Sequence, residues 1–358
     1  MKRFGRIGIF GVGLLGGSLG LGIRERFLAN EVIAYDPNPI ALEGARAVGA
    51  ADRVEPRLGP WIGELDLGIL AAPVGVLADL GRSVAAYASP GTLWTDVGSV
   101  KAPVVEALEP ALKHFVGGHP MAGSEQAGVE NAYSGLLQNA TWVLTPTDKT
   151  DKSDLERLRR LVEELGAYPL LLPPDLHDRL VARISHLPYL LAVALNLLIG
   201  DDPDRDTLIY LAAGGFRDLT RTASGSPVMS RDMVVTNKEA LQAAATDLKE
   251  RLTLLLELLD NPNELLEAAT LAKRVRDSIP VVKRGLLPVQ FDIVVAVADK
   301  PGELARITSA LGEAGVNIKD IEVLNIRDEG GAIRLGFATL EEKEACRQVL
   351  EKIGYHTR

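Results

Sequence analysis

The chain has 358 residues, enough for two or three domains with separate cores, and its 47% hydrophobic and 24% charged residues exclude wholesale disorder. Its net charge of -9 argues against nucleic acid or a membrane surface as a partner, because both require clustered Lys and Arg. The one cysteine, Cys346, excludes an internal disulfide and a cysteine metal cluster, so we expect a cytoplasmic location and no metal.

Short apolar runs alternate with helical patterns over residues 4–173, which predicts an α/β fold with a doubly wound, Rossmann-type parallel sheet. We therefore predict a dinucleotide-binding domain over residues 1–173. Uninterrupted apolar runs of about 18 residues are missing, so no membrane span is expected. The predicted strands cover residues 6–10, 31–35, 67–71, 92–96, 115–118 and 142–145.

A glycine-rich motif follows the first predicted strand and opens a helix. In this context glycines let the backbone approach a pyrophosphate at the helix N-terminus, where unpaired N–H groups and the helix dipole favour an anion. Asp36 ends the second strand, where a carboxylate can accept hydrogen bonds from ribose hydroxyls and repel a 2′-phosphate. NAD is therefore the expected cofactor. Its predicted binding residues are Gly11, Gly13, Leu14, Leu15, Gly16 and Asp36.

Two polar segments, residues 95–101 and 117–125, fall at the ends of later predicted strands. Ligands of doubly wound sheets gather outside the carboxyl ends of the strands. Ser99 and His119 could therefore both face a nicotinamide. A neutral imidazole can accept the proton that an alcohol loses when it gives up a hydride, so His119 is the predicted base.

Residues 174–279 show apolar positions at helical spacing and no strand pattern, which predicts an all-helical domain. Residues 241–259 are apolar on more than one face, which predicts burial between two subunits of a homodimer. A linker is expected over residues 280–288, around two prolines. Residues 289–358 then predict a ferredoxin-like βαββαβ unit, with its last strand near residue 354.

Five motifs occur in order along the chain: Asp96-Val97-Gly98-Ser99-Val100-Lys101, Gly118-His119-Pro120-Met121-Ala122-Gly123, His177-Asp178, Ser185-His186-Leu187-Pro188 and Gly214-Gly215-Phe216-Arg217-Asp218-Leu219-Thr220-Arg221. Over residues 5–280 the chain therefore resembles the prephenate dehydrogenase family. The resemblance implies NAD-dependent oxidative decarboxylation of prephenate to 4-hydroxyphenylpyruvate, a step of tyrosine biosynthesis.

The same resemblance assigns site residues. It implies that His119 is the catalytic histidine on the ring hydroxyl and that Ser99 assists it. Arg221 matches the substrate arginine, whose planar fork suits a carboxylate. The other substrate-site matches are Ser185, His186 and Glu125, the last as an acidic partner for the arginine at the pocket mouth.

Some positions remain open at this point. Some bacterial members carry a histidine and a tryptophan where this chain has Tyr189 and Ser230. No residue decides between prephenate and arogenate, which differ only in a keto or amino group. For His177, a pocket role and a local contact to Asp175 or Asp178 are equally expected, whereas His114 is expected to be a surface or packing residue.

Residues 297–307 and 315–318 resemble the ACT domain, a small amino-acid-sensing module. The resemblance implies a regulatory domain, and we expect L-tyrosine as its effector, bound where residues 299–303 of one copy meet residues 316–318 of another. A dimerisation module without a ligand is the alternative. For the whole chain, the rivals are a dehydrogenase of the β-hydroxyacid type and a non-catalytic regulator, which would tolerate loss of His119 and Arg221.

Overall fold

The computed structural model describes residues 4–123, 126–279, 291–298, 300–327, 330–355 and 357. Chain contacts divide it into two compact units, Met1–Ala269 and Thr270–Arg358. The predicted linker, residues 280–288, lies outside the described residues. The division falls at residue 270 and the predicted boundary at residue 279, so the domain limits stay a prediction.

The first part of the chain forms one eight-stranded sheet with the order β3-β2-β1-β4-β5-β6-β7-β8. This order confirms the doubly wound α/β prediction. Its elements are β1 (Phe4–Phe10), α1 (Leu14–Glu25), β2 (Ala29–Tyr35), α2 (Pro39–Ala47), β3 (Arg53–Glu55), β4 (Leu67–Leu70), α3 (Val74–Ala85), β5 (Leu93–Asp96), α4 (Ala102–Leu108), β6 (His114–Pro120), β7 (Thr141–Thr145), α5 (Lys152–Glu164) and β8 (Tyr168–Leu171).

The sheet differs from the sequence-based prediction in two respects. β3 and β8 were not predicted, because each is only three or four residues long, β3 is mostly charged and β8 contains a proline. β7 runs antiparallel to β6, whereas β1 to β6 pair in parallel. An antiparallel strand near the edge of a mostly parallel sheet is common, and alternation of patterns does not reveal strand direction.

Hydrophobic clusters lie on both faces of the sheet. One contains Leu19 and Ile23 of α1 with Leu158 and Leu161 of α5, and all four are at most 1% exposed. The other contains buried residues of α3 and α4, including Leu77 and Leu108. The sheet is therefore covered on both sides, as its continuous apolar strands require.

Residues after β8 are helical, as predicted, up to Ser278. The elements are α6 (Pro174–Val181), a π-helical turn (Ala182–His186), α7 (Leu187–Gly200), α8 (Arg205–Leu211), α9 (Gly214–Thr220), a 3₁₀ turn (Arg221–Ser224), α10 (Pro227–Thr236), α11 (Lys238–Glu257) and α12 (Pro262–Ser278). The segment Pro174–Gly200 is long and apolar enough to cross a membrane by length and composition alone. Only 17% of its most apolar 18-residue window is buried, whereas the polar residues His177, Asp178 and His186 of the same segment are buried.

The second unit contains β9 (Phe291–Val297), α13 (Glu303–Glu313), β10 (Asp320–Arg327), β11 (Gly330–Phe337) and α14 (Leu340–Lys352), with the sheet order β10-β11-β9. Thr357, three residues after the predicted position of the last strand, forms a single antiparallel bridge with Val295 of β9. The arrangement confirms the βαββαβ prediction. The buried side of the sheet packs on α13 and α14 through residues such as Ile307 and Leu350.

Candidate active site

The glycine motif forms the turn between β1 and α1, as predicted. Gly11 has φ +106°, which side chains rarely adopt, and a Cβ there would lie 2.5 Å from the carbonyl oxygen of Ala71 after β4. A Cβ on Gly16 would lie 1.9 Å from the carbonyl oxygen of Gly11. At Gly13, by contrast, a Cβ would meet nothing within 4 Å. The turn is therefore packed tightly behind and open in front, where a phosphate group could approach.

The start of α1 offers backbone donors to that opening. Leu14 and Leu15 are the first two helical residues. The N-cap residue is Gly13, which has no side chain that could cap their N–H groups. N–H groups in the first turn have no partner within the helix. Asp36, at the end of β2, accepts hydrogen bonds from Val12 N at 3.0 Å and Asn38 N at 2.8 Å. These bonds hold the carboxylate beside the glycine turn, so the residues present fit NAD.

His119 lies near the end of β6 and contacts a second histidine from α6. The Nδ1 atom of His119 is 2.8 Å from Nε2 of His177, and the two rings meet edge to face, 5.1 Å apart. The Nδ1 atom of His177 is in turn 2.7 Å from Oδ1 of Asp178. His177 is 1% exposed and Asp178 is 4% exposed, whereas His119 is half-buried. One histidine thus meets solvent while its partners are enclosed.

Asp178 also binds the start of α4. Its Oδ1 accepts a hydrogen bond from Lys101 N at 2.7 Å, and its Oδ2 accepts one from Ala102 N at 2.8 Å. These bonds place the carboxylate at the positive end of the helix dipole, where two backbone N–H groups bind it. Asp178 therefore joins α4 to α6 and presents an anion to His177.

A buried ion pair between Asp96 and Lys101 connects the loop of Ser99 to the strand of His119. Both side chains are fully buried, and Lys101 Nζ also donates to the carbonyl oxygen of Gly118 at 2.7 Å. Asp96 accepts hydrogen bonds from Gly98 N at 2.8 Å and Gly118 N at 3.0 Å. Burial lowers the pKa of Lys101, and the adjacent Asp96 opposes that effect. The pair fixes the backbone on both sides of the site.

The π-helical turn carries two of the predicted substrate residues in different directions. Ser185 is exposed, whereas His186 is 1% exposed. The side-chain amide of Asn237 donates to the carbonyl oxygen of Asp178 at 2.9 Å and lies 3.0 Å from Nδ1 of His186. Burial lowers the pKa of His186 to about 4, against the opposing charge of Asp178. His186 is therefore neutral and forms part of the packing behind the site.

Arg221 begins the 3₁₀ turn after α9 and is exposed. It lines an open cavity of about 600 Å³, whose walls come from α7, α9 and the turn and include Asn196 and Ser224. The residues that line this cavity do not include His119, His177 or Asp178. Glu125 lies outside the described residues. Hydrogen bonds thus join His119 to His177 and Asp178 of α6. Arg221 lies at a separate place, in the wall of the cavity described above.

Several residues of the site had no role assigned from the sequence. Asp96 and Lys101 stand in a predicted motif without a role of their own, and Asn237 is not among the predicted site residues. A buried lysine five residues after a buried aspartate could have signalled an ion pair. Asn237 follows no local pattern, since its partners are 59 and 51 residues away in the chain.

Three family profiles match successive parts of the chain. The profile described as "Prephenate dehydrogenase, nucleotide-binding domain" matches residues 19–170, and the one described as "Prephenate dehydrogenase, dimerization domain" matches residues 173–270. The ACT domain profile matches residues 291–345.

Similar proteins are found along most of the chain. A prephenate dehydrogenase of Bacillus subtilis is 33% identical over 353 residues, which are 95% of this chain and 94% of that protein. The crystal structure of Aquifex aeolicus prephenate dehydrogenase with hydroxyphenyl propionate and NAD+ has 33% identity and a TM-score of 0.70, over 77% of this chain and 98% of that one. Synechocystis arogenate dehydrogenase has 31% identity and a TM-score of 0.68, over 76% and 99%.

Proposed function

The chain belongs to the prephenate dehydrogenase family, and we propose that it oxidises prephenate with NAD, releasing CO2 and forming 4-hydroxyphenylpyruvate. The observation that carries this proposal is His119, a half-buried histidine on β6 whose Nδ1 is held by a buried histidine and aspartate. Such an arrangement is suited to accept a proton from an alcohol.

NAD is the cofactor of this family member, and the turn of residues 11–16 with Asp36 would hold it. Backbone N–H groups of Leu14 and Leu15 would bind the pyrophosphate, and the carboxylate of Asp36 would accept the ribose hydroxyls. When bound there, NAD would supply the hydride acceptor for the ring carbon that carries the hydroxyl group.

His119 takes the hydroxyl proton as the hydride leaves. Breakage of the bond to the ring carboxylate supplies the electron pair that makes the ring aromatic, and CO2 departs. The product is a phenol, so His119 can return the same proton to the ring oxygen, and the overall reaction consumes none. Ser99, half-buried in the loop after β5, would help to orient the hydroxyl group.

Arg221 would bind a carboxylate of the substrate through its planar guanidinium group, because its motif matches that of the family's substrate arginine. In one copy of the chain it lines a cavity that His119 does not line. Ser185, exposed on the π-helical turn, would contribute a hydroxyl group, and His186 would support the wall from behind. Glu125 remains the proposed partner for the arginine at the pocket mouth. Arogenate is the alternative substrate, because an arogenate dehydrogenase shares the fold at 31% identity.

We propose that the chain is a homodimer, assembled through its helical region. Residues 173–270 match the dimerization domain of the family, and this region exposes many large apolar side chains. On α11 they include Leu252, Leu254, Leu255 and Leu256, which are 42% to 58% exposed. A second copy would cover this surface. The proposed domain limits are 1–173, 174–279 and 289–358, and the proposed location is the cytoplasm.

L-Tyrosine is the proposed effector of the ACT domain. It is the end product of the pathway, and the product of the proposed reaction is its precursor. Gly302 has φ +96° and precedes α13 without a side-chain cap, so backbone N–H groups there could hold a carboxylate. Asn317 is exposed near the proposed pocket, whereas Asp299 lies outside the described residues. Calorimetry of tyrosine with the full chain, beside a chain ending near residue 279, should show binding only with the ACT domain present. Equal binding or equal inhibition without it would refute this role.

The role of His119 is tested by His119→Ala. We expect kcat to fall by about 10² to 10⁴, the usual contribution of a positioned base, while KM for prephenate changes little. His114→Ala is the matched control, because His114 starts the same strand and pairs with Asp154 at 2.6 Å instead of facing the site. Near-native turnover by His119→Ala would remove His119 from the mechanism.

A further inference from the structure

The contacts of His119 determine which of its nitrogens can act as the base. Asp178, held as a carboxylate by Lys101 N and Ala102 N, can only accept hydrogen bonds. Nδ1 of His177, 2.7 Å away, must therefore carry a proton. A neutral His177 then has an unprotonated Nε2, which accepts from Nδ1 of His119 at 2.8 Å.

The order of hydrogen-bond donors and acceptors that starts at Asp178 also determines which nitrogen of His119 faces the substrate proton. Since Nδ1 of His119 carries the proton, its Nε2 is unprotonated and can accept another. The opposite order would protonate Nε2 of His119 and would require Asp178 to act as a donor, which its two backbone donors oppose. One tautomer of each ring is therefore favoured by a network that begins at the helix N-terminus of α4.

We propose that His177 and Asp178 form a positioning dyad, which holds His119 in the tautomer that accepts the substrate proton at Nε2 and stabilises the imidazolium that results. This inference rests on the proposed role of His119. Neither dyad residue touches the substrate, because His177 and Asp178 are 1% and 4% exposed. The dyad acts through the ring orientation and proton affinity of His119.

The charged groups around His119 are consistent with Asp178 stabilising the protonated form of His119. Asp96 and Lys101, from the end of β5 and the start of α4, neutralise each other. His186 is buried and neutral, with the amide of Asn237 at its Nδ1. His177 is neutral in this network, so Asp178 supplies the negative charge that an imidazolium at position 119 would meet through one intervening ring. Opposite charge near a base favours its protonated form and raises its pKa.

Two substitutions at His177 separate its proposed functions. In His177→Ala, His119 loses both its acceptor and its link to Asp178. In His177→Gln, the amide oxygen can reach the position of Nε2 and accept from His119, but the link to Asp178 is lost. We expect kcat to fall by about 10 to 10³ in the alanine variant and by less in the glutamine variant, with KM for prephenate within about threefold of native.

The pH profile gives a readout that a merely structural role would not move. The base must be unprotonated, so kcat/KM falls on the acid side as His119 takes up a proton. Loss of the dyad removes stabilisation of the imidazolium, so that limb should move to lower pH by about one unit in both variants. His114→Ala, which breaks a histidine–aspartate pair on the same strand, should leave kcat and the limb unchanged.

Nitrogen NMR tests the tautomer in the native protein, with variants needed only to assign the signals. The chain has only 5 histidines, so imidazole ¹⁵N signals can be assigned by single substitutions. At neutral pH we expect His119 to be protonated at Nδ1 and unprotonated at Nε2. Protonation at Nε2 instead, an acid limb that stays in place, or equal kcat losses in His177→Ala and His177→Gln would each overturn the dyad. Activity retained by His119→Ala would instead overturn the proposed role of His119 itself.

Discussion

The sheet region and the helical region that follows it differ in how they bury their own apolar residues. In α1, residues from Gly16 to Ile23 are almost all buried, and hydrophobic clusters cover both faces of the sheet. In the helical region, α8, α10 and α12 contain no buried residue, and α7 buries only Ala192. Exposed side chains there include Leu198 at 71% and Tyr210 at 88%.

The two regions therefore meet different requirements. A sheet that binds a dinucleotide needs a rigid edge, which its own packing provides. A helical region with large exposed apolar surfaces is stable in water only when something covers them. We expect perturbations in the sheet region to act on folding and cofactor binding, and perturbations of the helical surface to act on assembly.

The largest expected effect is on assembly. Leu256 is 58% exposed on α11, and Leu256→Glu would place a charge in the proposed contact of both subunits. We expect the dimer to weaken by on the order of 4 kcal/mol, because burial of an unpaired charge is costly and occurs twice. Sedimentation equilibrium measures this change. Ile40→Glu, at a 77% exposed position of α2, is the control and should leave the dimer intact. Unchanged association in Leu256→Glu would contradict the proposed contact.

Within the sheet region, a methyl group at Gly16 should destabilise the fold. Its Cβ would lie 1.9 Å from the carbonyl oxygen of Gly11, and backbone cannot move away as a flexible side chain can. We expect Gly16→Ala to lower the free energy of unfolding by about 3 kcal/mol, at the upper end of overpacking penalties. Gly13→Ala, with open space at its Cβ, should change it by less than about 0.5 kcal/mol. Denaturant unfolding of the two variants should separate them, and equal stabilities would refute the packing argument.

Acid should act on the helical region through His186. Its pKa is lowered to about 4 by burial from 6.5, so the unfolded chain binds more protons between these values. Stability from this residue is therefore full above pH 6.5 and is lost as the pH falls toward 4, by about 2 kcal/mol between pH ~7.5 and ~5. His186→Asn keeps an acceptor for Asn237 but cannot titrate. Unfolding free energies at both pH values should fall less in that variant; an identical fall in both proteins would show that His186 does not contribute.

The smallest expected effect concerns cofactor choice, which the sheet region sets on its own. Asp36→Ala removes the carboxylate that would repel a 2′-phosphate, so the preference for NAD over NADP should narrow by about 1 kcal/mol, or roughly fivefold in the ratio of kcat/KM values. The dimer should persist in this variant. If the ratio of kcat/KM values for NAD and NADP stayed at its native value, a group other than Asp36 would discriminate between the two cofactors.

Much of the sheet region follows from local sequence. Residues 7–10 form a continuous apolar stretch directly before the glycine motif, so strand, turn and helix all agree, and Asp36 falls at the expected strand end. The short strands β3 and β8 and the reversed direction of β7 were not predictable in this way, because pairing partners and strand direction are decided by tertiary contacts.

Site residues that stand in a sequence motif could be predicted. Residues whose role depends on tertiary contacts could not. His119 and Ser99 follow strand ends, which is visible in the sequence. For His177 the sequence left two roles open, and the structure contains both kinds of contact, to Asp178 and to His119. His186 was expected to help shape the pocket, and its side chain is buried behind the site. Helical spacing alone does not say which face of a π-helical turn points inward.

Oxidation of prephenate with NAD is tested most directly by measuring NADH or NADPH formation by the full chain with prephenate or arogenate, each combined with NAD or NADP. The family membership and the carboxylate at Asp36 predict that prephenate with NAD gives the highest kcat/KM of the four combinations, with release of CO2. No NADH formation from prephenate, or a higher kcat/KM with arogenate, would contradict the proposed reaction.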